Sequence, residues 1–126
     1  MASPASGPTN IGVAPNVGGL LCYIPCCIGF LFSIMVAIVE KQSRFLRFHA
    51  FQSLFFHGGV IVVAIGLQIV GLMIGMISAV LALIFHMLLM LVGLGLVAVQ
   101  ILLMVKAYNN EEWELPTIGA MARKYV

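Results

Sequence analysis

Glu40-Lys41-Gln42-Ser43-Arg44-Phe45-Leu46-Arg47-Phe48-His49-Ala50-Phe51-Gln52-Ser53-Leu54-Phe55-Phe56-His57 is the stretch whose reading decides the fold. It holds Glu40, Lys41, Arg44 and Arg47, out of six basic and four acidic residues in the whole chain, and two of the three histidines. No Asp, Glu, Lys or Arg precedes Glu40, and none follows Arg47 until Lys106. A charged island between two long apolar runs is a loop at a membrane surface. The composition agrees. Only 8% of the 126 residues are charged and 63% are hydrophobic, against about 25% charged in a soluble domain. A soluble fold of this size has too little interior to hide that much apolar surface, so the bilayer is the expected solvent. The fold class is all-α membrane protein, with three transmembrane helices, an interfacial basic loop and a short C-terminal surface helix.

Working outward from the island, residues 17–39 read as the first span. As one helix they would cover about 34 Å, enough for a hydrocarbon core of about 30 Å. Pro25 is expected to bend it. Gly18, Cys22, Cys26, Gly29, Ser33, Ala37 and Glu40 recur every three or four residues and form a stripe of small or polar groups, the kind that lets helices approach closely in lipid. The cysteines read first as members of that stripe, since no further ligands at tight spacing accompany them. Residues 1–16, with three prolines and no charge, read as a flexible tail. They carry neither the basic region of a signal peptide nor the arginines of a transit peptide.

On the other side of the island, Phe48 to Val105 contains no formal charge. That run would be about 87 Å long as a helix, so it has to reverse. The weak point is Gly75–Ser78, giving spans over about 50–74 and 79–105 within a transmembrane domain of residues 17–107. Ser43 is placed to cap the second helix. Gly71 and Gly75 form a Gly-x-x-x-Gly pair. Residues 108–126 follow as a surface tail. Its helix, 118–126, would turn Ile118, Met121, Ala122 and Tyr125 toward the membrane, and Arg123 and Lys124 away from it.

Depth from the inner helix ends sorts the intramembrane polar residues. Ser33, His57 and Gln100 fall roughly 9–13 Å in; Cys22, Gln68 and His86 fall roughly 27–30 Å in. Two hydrogen-bonded layers are expected, His57 with Gln100 and Gln68 with His86. Such groups serve as interhelical glue or as a proton, solute or metal site. Lys41, Arg44 and Arg47 in the first loop and Lys106, Arg123 and Lys124 at the far end share a side if there are three spans. The positive-inside rule makes that side cytoplasmic and leaves the N-terminus outside.

Glu40-Lys41, Arg44-Phe45 and Arg47-Phe48-His49-Ala50-Phe51-Gln52-Ser53 resemble the "E-K … R-F-H-A-x-Q-S" core of a widespread family of small membrane proteins. Lys106-Ala107-Tyr108 and Leu115-Pro116-x-x-Gly119 resemble its "K-A-Y … L-P-x-x-G" ending, and Gly18-Gly19-Leu20-Leu21-Cys22-Tyr23-Ile24-Pro25 is similar to its first span. The likeness covers about residues 17–120. The family consists mostly of three-span prokaryotic proteins and is grouped with the twenty-kilodalton subunit of the chloroplast inner-envelope import translocon. The resemblance implies a helical membrane fold without known enzymatic activity.

Three functions are compatible with these features. One is a structural or assembly subunit docking other membrane proteins or itself. Another is a translocation or conducting component acting as an oligomer. The third is a surface enzyme using His49. The first is favoured, because no triad, phosphate loop or metal motif is present and no cofactor is implied. The small net charge of +2 gives no reason to expect nucleic acid. A prokaryotic plasma membrane is the expected location, with an organellar inner membrane as the alternative. The tail is expected to fold back over the first loop through Glu40 with Lys106 and Glu114 with Arg47.

Overall fold

The computed structural model describes residues 7–25 and 27–126. Residues 1–6 and Cys26 lie outside them, so the tail is only partly described and the small-residue stripe is followed without Cys26. Five helices appear in order: α1 (Pro15–Cys22), α2 (Cys27–Val39), α3 (Arg44–Ile77), α4 (Ala79–Tyr108) and α5 (Ile118–Arg123).

The expected single helix over 17–39 is instead two. Pro25 has no N–H for the Leu21 carbonyl and its ring crowds that carbonyl. The last turn of α1 therefore tightens, with Tyr23 N–H on Leu20 O and Ile24 N–H on Leu21 O. The chain then folds back. A Cβ at Gly29 would collide with the carbonyl oxygens of Ile24 and of Cys22, the latter at 2.8 Å, so glycine is what lets α2 start against the end of α1. The two outer ends of this pair meet. Asn10 N–H donates to Glu40 Oε2 at 2.8 Å, and Asn10 Oδ1 accepts from the Lys41 and Gln42 N–H groups. The α1–α2 pair thus enters and returns at one end of the bundle. This corrects the single helix over 17–39 and sets Asn10 beside the first loop rather than opposite it. It also corrects the free tail, which is clasped from Asn10 onward. Asn16 reaches the Tyr108 carbonyl at 3.2 Å, which puts the start of α1 beside the end of α4.

Among the described residues two helices are long and apolar enough to cross a membrane, α3 with 34 residues and α4 with 30. Their apolar windows are almost wholly exposed, which fits lipid contact and not the interior of a soluble fold. At about 1.5 Å per residue they run roughly 51 and 45 Å. Ser43 caps α3, accepting from Leu46 N–H at 3.2 Å, so the helix begins inside the charged island at Arg44. The reversal between α3 and α4 takes one residue, Ser78, at the end of the Gly75–Ser78 window; Gly75 is still helical. Gly71 abuts His86, where a Cβ would stand 2.6 Å from Cε1, whereas Gly75 has only ordinary contact.

The molecule therefore has two halves. At one end α1, α2 and α5 pack around the first four turns of α3 and the last turns of α4. There Cys22, Tyr23, Val36, Leu46, Ala50, Phe56, Leu103, Ala107 and Leu115 form a buried cluster. Beyond His57, α3 and α4 continue as a bare hairpin whose Ile, Leu, Met and Val side chains are exposed.

Candidate functional site

The polar residues singled out in the sequence gather in the packed half. Breaking a helix at membrane depth orphans carbonyls that must find donors within the protein. Cys22 O, at the end of α1, accepts from Ser53 Oγ at 2.5 Å, and Ser33 Oγ lies 3.2 Å from it while donating to the Gly29 carbonyl at 2.7 Å. Ser53 Oγ also meets His57 Nδ1 at 3.0 Å, and His57 Nδ1 lies 2.9 Å from the Ser53 carbonyl. A carbonyl only accepts, so Nδ1 carries the proton and Nε2 is the acceptor. Gln100 Nε2, 2.8 Å away, donates to it. The inner layer is thus a directed chain from Gln100 through His57 and Ser53 to the carbonyl left by the Pro25 break.

A second chain fastens the tail. Gln52 Nε2 donates to the Tyr23 hydroxyl at 2.9 Å and to the Trp113 carbonyl at 3.0 Å, while its Oε1 accepts from Leu115 N–H at 3.0 Å. One amide so grips both a backbone acceptor and a backbone donor two residues apart. Tyr23 OH donates in turn to His49 Nδ1 at 3.1 Å. His49 is fully buried, edge-on to the rings of Tyr23, Phe45 and Phe48. Its Nε2 is the one buried side-chain N or O atom without a hydrogen-bond partner among the described residues.

The terminal motif is shaped to this grip. Asn110, at φ 65°, ends α4 in a Schellman arrangement: Asn110 N–H reaches Ala107 O and Glu111 N–H reaches Lys106 O. Leu115 O then accepts from Gly119 N–H at 2.8 Å. A Cβ at Gly119 would lie 2.9 Å from Gln52 Oε1 and 2.6 Å from Glu114 Cβ, so this glycine allows the tail to close on Gln52. Gly19 serves α1 likewise, facing Ala107 Cβ and His49 Cδ2. The three separated motif segments meet in one place.

Glu40, also fully buried, is a clasp. Its Oε1 accepts from Gln42 and Ser43 N–H and its Oε2 from Asn10 N–H. Burial pushes its carboxyl up, but the backbone N–H groups of Ser43, Gln42, Asn10 and Ile11 outweigh this and hold it below the usual carboxylate range.

The tail does lie over the first loop, through partners other than those expected. Lys106 pairs with Glu111 at 2.7 Å, not with Glu40. Glu114 pairs with Arg123, as does Glu112, and not with Arg47. Burial works against the Arg123 charge, but its bonds to Glu114 and Glu112 raise its affinity for the proton. Arg47 instead donates to the Glu40 carbonyl at 2.7 Å and the Tyr125 carbonyl at 2.9 Å. The sequence hid these bonds because they end on backbone oxygens, which carry no residue signature. Arg123 lies over the Phe48 ring at 4.1 Å and Tyr125 stacks on Phe51. The short C-terminal helix therefore docks on α3 through buried Gly119 and Ala122, in place of the expected lipid-facing stripe. Tyr108, the last residue of α4, is exposed, and Pro116 stands at the turn into α5.

Lys41 and Arg44 are exposed, and no side-chain bond is recorded for either among the described residues. Gln68 and His86 lie apart from everything above, on the bare hairpin, where His86 Nε2 faces Gln68 Oε1 at 3.2 Å.

Among the described residues no three of His, Cys, Asp and Glu come together as a metal site would require. No solved structure matches the chain. Three archaeal relatives do. A UPF0132 membrane protein of Methanocaldococcus jannaschii is 36% identical over 94% of this chain and 94% of its own length. A second UPF0132 membrane protein of that organism is 29% identical over 91% of this chain and 72% of its own length. One from Archaeoglobus fulgidus is 32% identical over 88% of this chain and 94% of its own length. The family described as magnetosome magnetite crystal formation proteins matches residues 9–122, from the Asn10 clasp to buried Ala122. An all-helical membrane protein with its motifs folded into one end, this chain belongs to that family.

Proposed function

We propose that this protein is a structural or assembly subunit of a membrane complex, docking other membrane proteins through its surface and carrying out no chemistry of its own. The observation that carries the reading is where the motif polar groups are spent. Glu40, Arg47, Gln52, Ser53, His57 and Gln100 all bond inward, holding the α1–α2 hairpin and the tail against α3 and α4. His49, the residue a surface enzyme would use, has no exposed atom surface to offer a substrate. What is left facing outward is apolar hairpin and, at the packed end, a charged rim in which Lys41, Arg44 and Lys124 stand beside the ion-paired Glu111 and Glu114.

In this reading the rim of Lys41, Arg44, Arg47, Lys106 and Lys124 faces the cytoplasm, following the positive-inside rule. The N-terminal end, first loop and tail then share that side, because Asn10 bonds Glu40 and Arg47 bonds Tyr125. The name of the matched family speaks of magnetite crystal formation. Any such part here would be one of membrane assembly, since Glu111, Glu112 and Glu114 are tied to Lys106 and Arg123. The alternative, a translocating or conducting oligomer, draws on one observation: Gln68 is a polar group exposed on the hairpin.

The test is extraction in mild detergent at native expression, native sizing, and mass spectrometry of co-migrating chains. A complex with defined partner proteins is expected. A population running solely as the chain by itself, with no partner after in-cell cross-linking, would end the assembly reading.

A further inference from the structure

The hydrogen bonds that hold the tail have a direction, and the backbone fixes it. Leu115 N–H only donates and the Trp113 carbonyl only accepts. The Gln52 amide therefore stands with Oε1 toward Leu115 and Nε2 toward Trp113, each at 3.0 Å. The second Nε2 proton goes to the Tyr23 hydroxyl at 2.9 Å. Tyr23 in turn donates its own proton to His49 Nδ1, 3.1 Å away. Nδ1 is thus a bare acceptor, and the ring is neutral with its proton on Nε2.

Closure of the tail requires that state. An imidazolium carries a proton on both nitrogens. The Tyr23 oxygen would then have to accept from His49 while already accepting from Gln52. Its own proton would be left without an acceptor, and neither Tyr23 nor His49 has exposed surface where water could serve. Nothing around the ring favours the second proton. From α1 it meets Tyr23 and Gly19, and Ala107 of α4 borders the same glycine. On α3 its neighbours are the Phe45 and Phe48 rings. From the turn after α4 the Glu111 carbonyl faces it without completing a bond to Nε2, while the Glu111 carboxylate is held by Lys106. From α5 the charge that faces it is Arg123, of the same sign as an imidazolium. Glu111 and Arg123 belong to the tail and leave with it.

We propose that His49 is a proton-operated latch for the tail: residues 109–126 stay folded on α3 while the ring is neutral, and proton uptake by His49 releases them through Tyr23 and Gln52. The sign follows from which form binds the proton. The closed tail takes only the neutral ring, whereas an opened tail leaves the ring to titrate near its ordinary value, about 6.5. Closure is complete above that value and weakens as pH falls below it, by up to about tenfold per pH unit. Release uncovers the Gln52 amide and the Phe48 and Phe51 rings, on which Arg123 and Tyr125 lie. The tethers from Glu112 and Glu114 to Arg123 respond to acid in the carboxylate range, about 4.3 and below, and are separable from the latch.

The test uses the full-length protein in micelles, with amide exchange at Leu115 referred at each pH to that of an unfolded peptide. Protection of Leu115 N–H should be level above about pH 7 and fall close to tenfold per unit from about pH 6.5 to about pH 5. The Gln100 N–H in α4 should stay protected throughout. His49→Asn sets near Nδ1 an acceptor oxygen that takes no proton, and its Leu115 protection should be level over the whole range. Histidine nitrogen spectra of the wild type serve if that variant misfolds. His49 should show the Nε2–H tautomer while the tail is closed, and should take up its proton in step with the loss of Leu115 protection. Level protection in the wild type, a slope retained in His49→Asn, or an Nδ1–H tautomer would each overturn the latch. So would loss of protection at Gln100 in step with Leu115, which would mean that the packed half unfolds as a whole.

Discussion

Gln100 and Gln68 are the same side chain facing the same kind of partner, a histidine whose Nδ1 is committed to the carbonyl four residues back on its own helix. Gln100 is 7% exposed and closes a chain of bonds inside the packed half; Gln68 is exposed on the bare hairpin. The difference lies in what surrounds the pair. The re-entrant α1–α2 hairpin reaches only to the level of His57, where Phe30 meets the His57 ring. Below that level the buried polar groups Ser33, Gln52, Ser53, His57 and Gln100 have protein around them. Above it, past Val60 and Leu96, each helix has the other as its neighbour among the described residues. One half of the molecule is thus specified mainly by hydrogen bonds and close glycines, and the other mainly by apolarity, with the Gln68–His86 pair and Gly71 as its polar and close-packed points.

The sharpest way to break this comparison is to remove an amide from each half. Gln52→Leu should cost about 3–5 kcal/mol, because Tyr23 and Leu115 each lose a buried bond and Trp113 a partly buried one. Denaturant unfolding in micelles would measure it, and proteolysis should cut between Asn109 and Pro116 first. Gln68→Leu in the same micelles should change stability by less than about 0.5 kcal/mol. Equal losses at both sites would erase the distinction between the halves.

Glycines give the next contrast. Gly119→Ala and Gly29→Ala each put a methyl into occupied space and should cost about 1–3 kcal/mol. Gly66→Ala has open space and should stabilise by about 0.5–1 kcal/mol, since alanine is the better helix former. Gly71→Ala should behave like the packed half although it sits on the hairpin, because His86 occupies its space. Thermal unfolding of the four variants ranks them directly.

The Glu40 clasp adds a pH dependence confined to the packed half. Its folded carboxyl is held below the ordinary value of 4.5. Its contribution is therefore complete above that value and is lost as pH falls through the lower folded one. Amide hydrogen exchange at Asn10, Lys41 and Gln42 should quicken over that acid range while exchange in the bare hairpin stays flat. Glu40→Gln should exchange fast at these sites at every pH. An acid response equal in both halves would mean that something other than the clasp titrates.

Much of this was legible in the sequence, and unevenly so. The charged island, the Ser43 cap and the run from Phe48 to Val105 locate α3 and α4, because charge and apolar length are signals a bilayer reads without context. Counting depth along the helices pairs His57 with Gln100 and Gln68 with His86. The path of residues 17–39 was not legible. A 23-residue apolar run looks the same whether it crosses or turns back, and what decides is the fit of Gly29 against carbonyls seven and five residues earlier together with a bond from Asn10 to Glu40. The tail was half legible: its acidic spacer announced ion pairs, but charge complementarity does not say which. Arg123 captured Glu112 and Glu114 because Gln52 and Gly119 had already set the path of the backbone.

The smallest effect concerns the two helix caps. Ser43 and Ser78 do the same local work, each accepting from the N–H three residues on, at 3.2 Å in one and 3.4 Å in the other. Ser43 is buried and its own N–H is held by Glu40, so Ser43→Ala removes one bond from a connected set and should cost about 1–2 kcal/mol. Ser78 makes the whole reversal between α3 and α4 at the open tip, where headgroups and water can replace its hydroxyl. Ser78→Ala should cost about 0.5 kcal/mol or less. The comparison is sensitive to where the tip sits. If the hairpin ends in the interface, the small cost holds. If the tip stays in hydrocarbon, no solvent can stand in for the hydroxyl, and Ser78→Ala should cost as much as Ser43→Ala. Unfolding of the two variants in vesicles, set against the same pair in micelles, reads the depth of the tip from the difference.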